Sequence, residues 1–104
     1  MILTVFRNRL RPGVEAEYRP LAVTMSELAH TMEGFVDEAF FAAPNGDRVT
    51  IVRFADRASH DAWARHPAHR EAQRRGRDEF YESYEISIAE VVDERHFSAD
   101  QSPR

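Results

Sequence analysis

Two β-branched segments are apolar on both of their sides, and no other feature of the chain restricts its fold as tightly. The first, Ile2 to Leu10, sets Met1, Leu3 and Val5 on one side and Ile2 and Phe6 on the other; the second, Val49 to Phe54, sets Val49 and Ile51 against Val52 and Phe54. Successive side chains of a strand point to opposite faces, so a sheet with one wet face alternates between apolar and polar residues. Neither segment does so, and both sides of such a sheet need a cover.

One cover is visible in the periodicity. Val14, Tyr18, Leu21, Met25, Leu28 and Met32 recur in steps of four and three, the stripe of an amphipathic helix. Pro20 lies off that stripe, where its missing N–H predicts a bend, and Gly34 predicts the stop. Phe35 to Ala43 is a short aromatic-rich strand, and Pro44-Asn45-Gly46-Asp47 turns it back into Val49–Phe54 as a hairpin. Asp56 to Arg65 reads as a short helix. Pro67 pushes His66 out of helical geometry and opens a second helix with Ala68, Ala72 and Gly76 on one stripe. Tyr84 to Val92 is the last strand, and residues from Glu94 onward carry no pattern, so the domain is expected over 1–93 with a loose tail over 94–104.

This order is the ferredoxin-like βαββαβ arrangement, an α+β fold with helices on one face of a four-stranded antiparallel sheet. The second apolar face then calls for a second copy of the chain, since closed two-fold dimers are the commonest soluble assembly. A sheet-to-sheet homodimer burying about 2,000 Å² outweighs any surface ion pair at about 25 cal/mol per Å². It also leaves one pocket per subunit between sheet and helices.

Composition removes other classes. The 104 residues suffice for one domain, and 42% hydrophobic with 31% charged residues is ordinary globular usage. No apolar run reaches the roughly 20 residues of a membrane helix and no signal-peptide layout opens the chain, so the expected location is the cytoplasm. Cysteine is absent, which excludes disulfides and thiolate chemistry, and lysine is absent, which excludes a lysine Schiff base. A net charge of −4 points away from nucleic acid and toward a small-molecule partner.

The window from Trp63 to Tyr84 concentrates the chemistry: it holds the single Trp, His66 and His69, and Tyr81 and Tyr84. Trp63 is a stacking surface or a core residue. His66 and His69 are imidazoles, a side-chain type whose unperturbed pKa suits proton transfer, or else they close one helix and decorate the next. Pro67 breaks the geometry between these two histidines, and no carboxylate stands at matching spacing, so no metal is expected. Tyr81 and Tyr84 are hydrogen-bond donors for a phenolate or packing at the strand's entry. Asn8 shares a strand side with Ile2, Thr4 and Phe6 and either faces the cavity or caps a turn.

The strand leading into Pro12-Gly13, the Met32-Glu33-Gly34-Phe35 step, Trp63 with His66-Pro67-Ala68-His69, and Tyr81-Glu82-Ser83-Tyr84 together resemble the antibiotic biosynthesis monooxygenase family of dimeric α/β barrels. The resemblance implies addition of O2 to phenolic or anthrone-like aromatics with no cofactor, or, in another branch, haem binding and degradation. On the first, Asn8, Trp63 and His69 are the expected catalytic groups, with His66, Tyr81, Tyr84 and Phe54 around the substrate. In the quinone-forming branch an Asn and a Trp lie on the third strand, where this chain has Thr50 and Phe54. On the haem branch Asn8 and Trp63 match, but Gln73 replaces the iron-ligating His and His69 sits one turn earlier. A non-catalytic dimer holding a hydrophobic metabolite is the third expectation.

Overall fold

The structure, a computed structural model, describes residues 1–99. Its elements run β1 (Ile2–Leu10), α1 (Glu15–Thr31), β2 (Phe35–Ala42), β3 (Arg48–Phe54), α2 (Arg57–Ala64), α3 (Pro67–Arg75) and β4 (Tyr81–Glu90), with a π-helical turn at Gly76–Phe80 joining α3 to β4. The strands form one antiparallel sheet in the order β2-β3-β1-β4, which is the ferredoxin-like topology expected from the sequence.

β1 is central, and its register sets the site: Thr4 faces Val52 and Ile88 across the two neighbouring strands, and Asn8 faces Arg48 and Tyr84. The hairpin forms where Asn45-Gly46 placed it, with Gly46 at φ 96° and the Asn45 side chain accepting from the Asp47 N–H at 3.0 Å. Asp47 is clamped by Arg7 at 2.7 Å and Arg9 at 2.8 Å, and these guanidinium hydrogen bonds hold its carboxyl down at about 2.

α1 runs through Pro20 without interruption and buries Tyr18 and Ala29. The core is small: Ala29, Val52, Phe54 and Trp63, flanked by Met32, Phe35 and Ala64. Phe54 is wholly buried, worth about 2–3 kcal/mol of hydrophobic stabilisation. Its ring lies 5.2 Å from Trp63, which joins α2 to the sheet.

The last strand differs from its expected start. β4 begins at Tyr81, not Tyr84, because Leu10 pairs with Tyr81 across a register shift at Arg9/Leu10 and the Arg11 N–H donates to the Phe80 carbonyl at 2.8 Å. Both tyrosines therefore belong to the sheet. In the expected tail, residues 94–98 have no helix or strand, yet Glu94 is ion-paired with Arg53. Positions 100–104 lie outside the described residues.

The helices occupy the side of the sheet that carries Ile2, Thr4, Val52 and Phe54, all buried. On the opposite side Leu3, Val5, Val49 and Ile51 remain half-buried and Phe41 is exposed. Coverage of the helical side is itself incomplete: Tyr84, Ile86 and Ile88 of β4 stay exposed there, and the gap between them and α1 is a cavity.

Candidate functional site

A cavity of about 710 Å³ lies between the sheet and the helices. Phe6, Thr50, Val52, Ile86 and Ile88 form its sheet wall, and Leu21, Ala22, Met25 and Ala29 of α1 close it from above. Leu21 and Met25 belong to the stripe read from the sequence, as does Tyr18, which also lines the cavity; Ala22 and Ala29 lie outside it. Most of the wall is apolar or aromatic, and its polar groups gather at two ends about four residues apart along β1.

At the first end α2 presents His60 and Trp63, one turn apart on the same face. The helix is started by Asp56, whose side chain accepts from the Ser59 N–H at 2.8 Å, a bond that lowers its own pKa. His60 is 1% exposed, and its Nε2 lies 2.7 Å from the Thr4 hydroxyl. Its Nδ1 lies 3.0 Å from Asp61 Oδ1, which also accepts from Arg57 Nε at 3.2 Å. The hydrogen bond from His60 is the main cause holding the Asp61 carboxyl below its ordinary value, so it is a carboxylate at neutral pH. A carboxylate only accepts, hence Nδ1 carries the proton, and in the neutral ring Nε2 accepts from Thr4.

Trp63 stands beside this group, its ring 5.8 Å from His60 and 4.4 Å from His69. Its indole Nε1 is buried without a hydrogen-bond partner. An orphaned donor costs roughly 1–3 kcal/mol. His69 points Nδ1 at the Ala64 carbonyl, 3.3 Å away, and burial lowers its pKa, so it is neutral with Nε2 bare.

The second end is phenolic. Tyr18 and Tyr81 share a hydrogen bond of 2.8 Å, and the rings of Tyr81, Tyr84 and Phe6 meet edge to face at 5.3–5.7 Å. Burial pushes the Tyr81 phenol well above its usual range, so it stays protonated and donates or accepts without ionising. Arg48 lies over Phe40, 4.7 Å from its centroid, and 5.7 Å from that of Tyr18.

Of the residues expected from sequence, Trp63, His69, Tyr81 and Tyr84 line this one cavity, as does Gln73. Asn8, His66 and Phe54 do not. Asn8 is 4% exposed, its Oδ1 unpartnered, and it borders a smaller cavity of about 310 Å³ with Arg7, Arg9, Asp47 and Tyr84. His66 caps α3, its Nδ1 accepting from the Ala68 N–H at 3.1 Å. Phe54 is core. Missing from the sequence reading were Thr4, His60, Asp61 and Arg48. The usable signals were a Thr on an otherwise apolar strand side and a His one turn before the Trp. Among the described residues no three His, Cys, Asp or Glu side chains gather as a metal site would require.

A ferredoxin-like sheet with a half-open, largely apolar cavity under its helices defines an α+β architecture. The chain belongs to the antibiotic biosynthesis monooxygenase family, whose match covers residues 1–75. Among sequences it is similar to the uncharacterised protein YqjZ of Bacillus subtilis, 29% identical over 80 residues, 77% of this chain and 70% of that one. Among solved structures it resembles Rv0793 of Mycobacterium tuberculosis, with a TM-score of 0.80 at 16% identity over 91% of this chain and 98% of that one. SnoaB of Streptomyces nogalater, described as a cofactor-independent oxygenase, superposes with a TM-score of 0.75 at 15% identity, over 89% and 94% of the two chains. No helix among the described residues is long and apolar enough to cross a membrane.

Proposed function

We propose that the protein is a cofactor-independent monooxygenase that uses O2 to oxidise a flat phenolic or anthrone-like molecule, and that it works as a homodimer. The observation that carries this reading is the cavity: about 710 Å³ of largely apolar, aromatic wall with polar groups held at two ends. In such chemistry the substrate, once deprotonated, supplies the electrons. Activation of an anthrone methylene by O2 leaves one oxygen as the new carbonyl and the other as water. The protein has to exclude water, hold the ring system, take a proton and donate to the resulting oxyanion. Family membership and the likeness to SnoaB support the same reading.

The ring system would lie against Phe6, Ile86 and Met25, with an oxygen toward the end lined by Trp63 and His69. Oxygen uptake by purified protein with a panel of anthrones and polyphenols tests this. Consumption above the spontaneous rate, lost in Trp63→Phe, is expected; background rates across the panel reject it. The dimer follows from the apolar side of the sheet opposite the helices, where Leu3, Val5, Val49 and Ile51 have no cover. Sedimentation of native protein as a dimer and of Ile51→Asp as a monomer is the expected pair of results.

A haem-binding reading keeps one supporting observation, the bare Nε2 of His69, the residue that would hold the iron. Bound haem would supply oxygen activation. A haemin titration in which a Soret shift occurs, and vanishes in His69→Ala, would favour it over the first reading.

A further inference from the structure

We infer that Thr4, His60 and Asp61 form a proton relay that takes the hydroxyl proton of a phenolic or enolic ligand out of the cavity onto the buried His60 imidazole, which the Asp61 carboxylate stabilises. This deepens the oxygenase reading by naming the groups of the same site that ionise the substrate, and it rests on that reading only for the purpose the ionisation serves.

The three groups form a continuous line. Thr4 is 6% exposed and lines the cavity; its hydroxyl is committed as donor to His60 Nε2 at 2.7 Å, so toward the cavity Thr4 presents only lone pairs. A ligand hydroxyl meeting Thr4 is therefore the donor. Its proton passes to Thr4 Oγ1 as the Thr4 proton passes to Nε2, leaving a ligand oxyanion, an intact threonine and an imidazolium; no electrons move and no other bond changes. The imidazolium keeps Nδ1–H on Asp61 at 3.0 Å, and Asp61, with its side chain 30% exposed, meets the solvent. Trp63 and His69 line the same end of the cavity beside this line of groups.

A purely structural histidine would not need this arrangement. Burying a histidine at 1% exposure with both nitrogens engaged, one by a cavity hydroxyl and the other by a surface carboxylate, connects inside to outside. The groups facing His60 from its surroundings are Thr4 on β1, Asp61 and, through it, Arg57 on α2, and His69 on α3. The carboxylates that line the cavity itself are Glu38, bonded to Ser26 and 3.7 Å from His30, and the exposed Glu15, beside Arg19 and Arg48; neither has a comparable link through the protein.

The test separates ionisation from oxygen chemistry by using 4-nitrophenol under argon, whose phenolate absorbs in the visible. Native protein should ionise the bound probe about tenfold more readily than water does, roughly one pKa unit. Thr4→Val and His60→Gln should abolish that gain, Thr4→Ser should restore it, and Asp61→Asn should lose most of it, because Asn keeps the tautomer without stabilising the imidazolium. Histidine ¹⁵N spectra provide a reading without ligand: His60 should show a protonated Nδ1, and its Nε2 resonance should move in Thr4→Val while circular dichroism stays native.

A probe that remains outside the cavity, ionises equally in native protein and Thr4→Val, or transfers its dependence to Glu38→Gln overturns the relay. Ionisation that depends on Thr4 and His60 with no oxygen uptake from any substrate overturns the oxygenase reading alone. Oxygen uptake indifferent to Thr4→Val and His60→Gln overturns the relay alone.

Discussion

The cavity has two polar ends built from different chemistry. At the imidazole end Thr4, His60 and Asp61 form a hydrogen-bonded chain in which a buried imidazole links a cavity hydroxyl to a surface carboxylate. At the phenolic end Tyr18 and Tyr81 share one hydrogen bond, and burial keeps the Tyr81 proton in place far above neutrality. In the proposed reading the phenolic end orients a ligand and the imidazole end takes its proton. A step of four along β1 separates Thr4 from Asn8, whose cross-strand partner Tyr84 belongs to the phenolic end.

Each end depends on a glycine, so each can be broken separately. Gly34 has φ +81°, and a Cβ there would overlap the Ser59 hydroxyl on α2, one residue before His60. Gly34→Ala should cost about 3 kcal/mol, from left-handed strain plus overlap, and shift α2 away from Thr4. Thermal unfolding should show a midpoint lower by about 15 °C, and the His60 ¹⁵N signals should report the lost bond.

Gly76, in the π turn, has ordinary backbone angles, but a Cβ would overlap the Tyr81 ring. Gly76→Ala should cost about 2 kcal/mol and disturb the phenolic end only. Native His60 resonances beside weakened ligand binding would sharpen the contrast; altered His60 resonances would break it.

Tyr81→Phe removes the shared hydrogen bond while keeping the ring. Ligand affinity should fall about fivefold, near 1 kcal/mol, with kcat and the pH profile unchanged. A displaced pH profile would mean that the phenolic end also handles the proton.

The smallest effect concerns pH. His69 has its pKa lowered by burial, so between 6.5 and its folded value the unfolded chain binds more protons. The stability associated with a neutral His69 is present above pH 6.5 and declines as pH falls through that window. His69→Leu should flatten the fall in unfolding midpoint between pH 7 and 5. Asp47, also lowered, acts in a separate range: its contribution is present above 3.8 and is lost as pH drops toward about 2.

Much of the fold was legible because it rests on local rules. The Val14–Met32 stripe, the Asn45-Gly46 hairpin and the Pro67 helix start each follow from a few neighbouring residues, and each stands in the structure. The start of β4 was not legible, since it depends on Leu10 pairing with Tyr81 across the whole chain. The site was half legible. Trp63, His69, Tyr81 and Tyr84 stood out by rarity and proximity in sequence, whereas Thr4 and His60 are unremarkable until β1 and α2 meet. Asn8 shares its strand side with Thr4, yet its position beyond Phe6 and opposite Arg48 puts it against a different cavity.

Residue pattern by itself determined the order of elements, the side of the sheet each strand residue faces and the surplus of apolar surface, because periods of two and near four are properties of the local backbone. Which polar atoms touch was decided only in three dimensions. A 2.7 Å bond between residues 4 and 60 exists because strand register and helix placement agree to within a fraction of an ångström, and no spacing in the sequence encodes that distance.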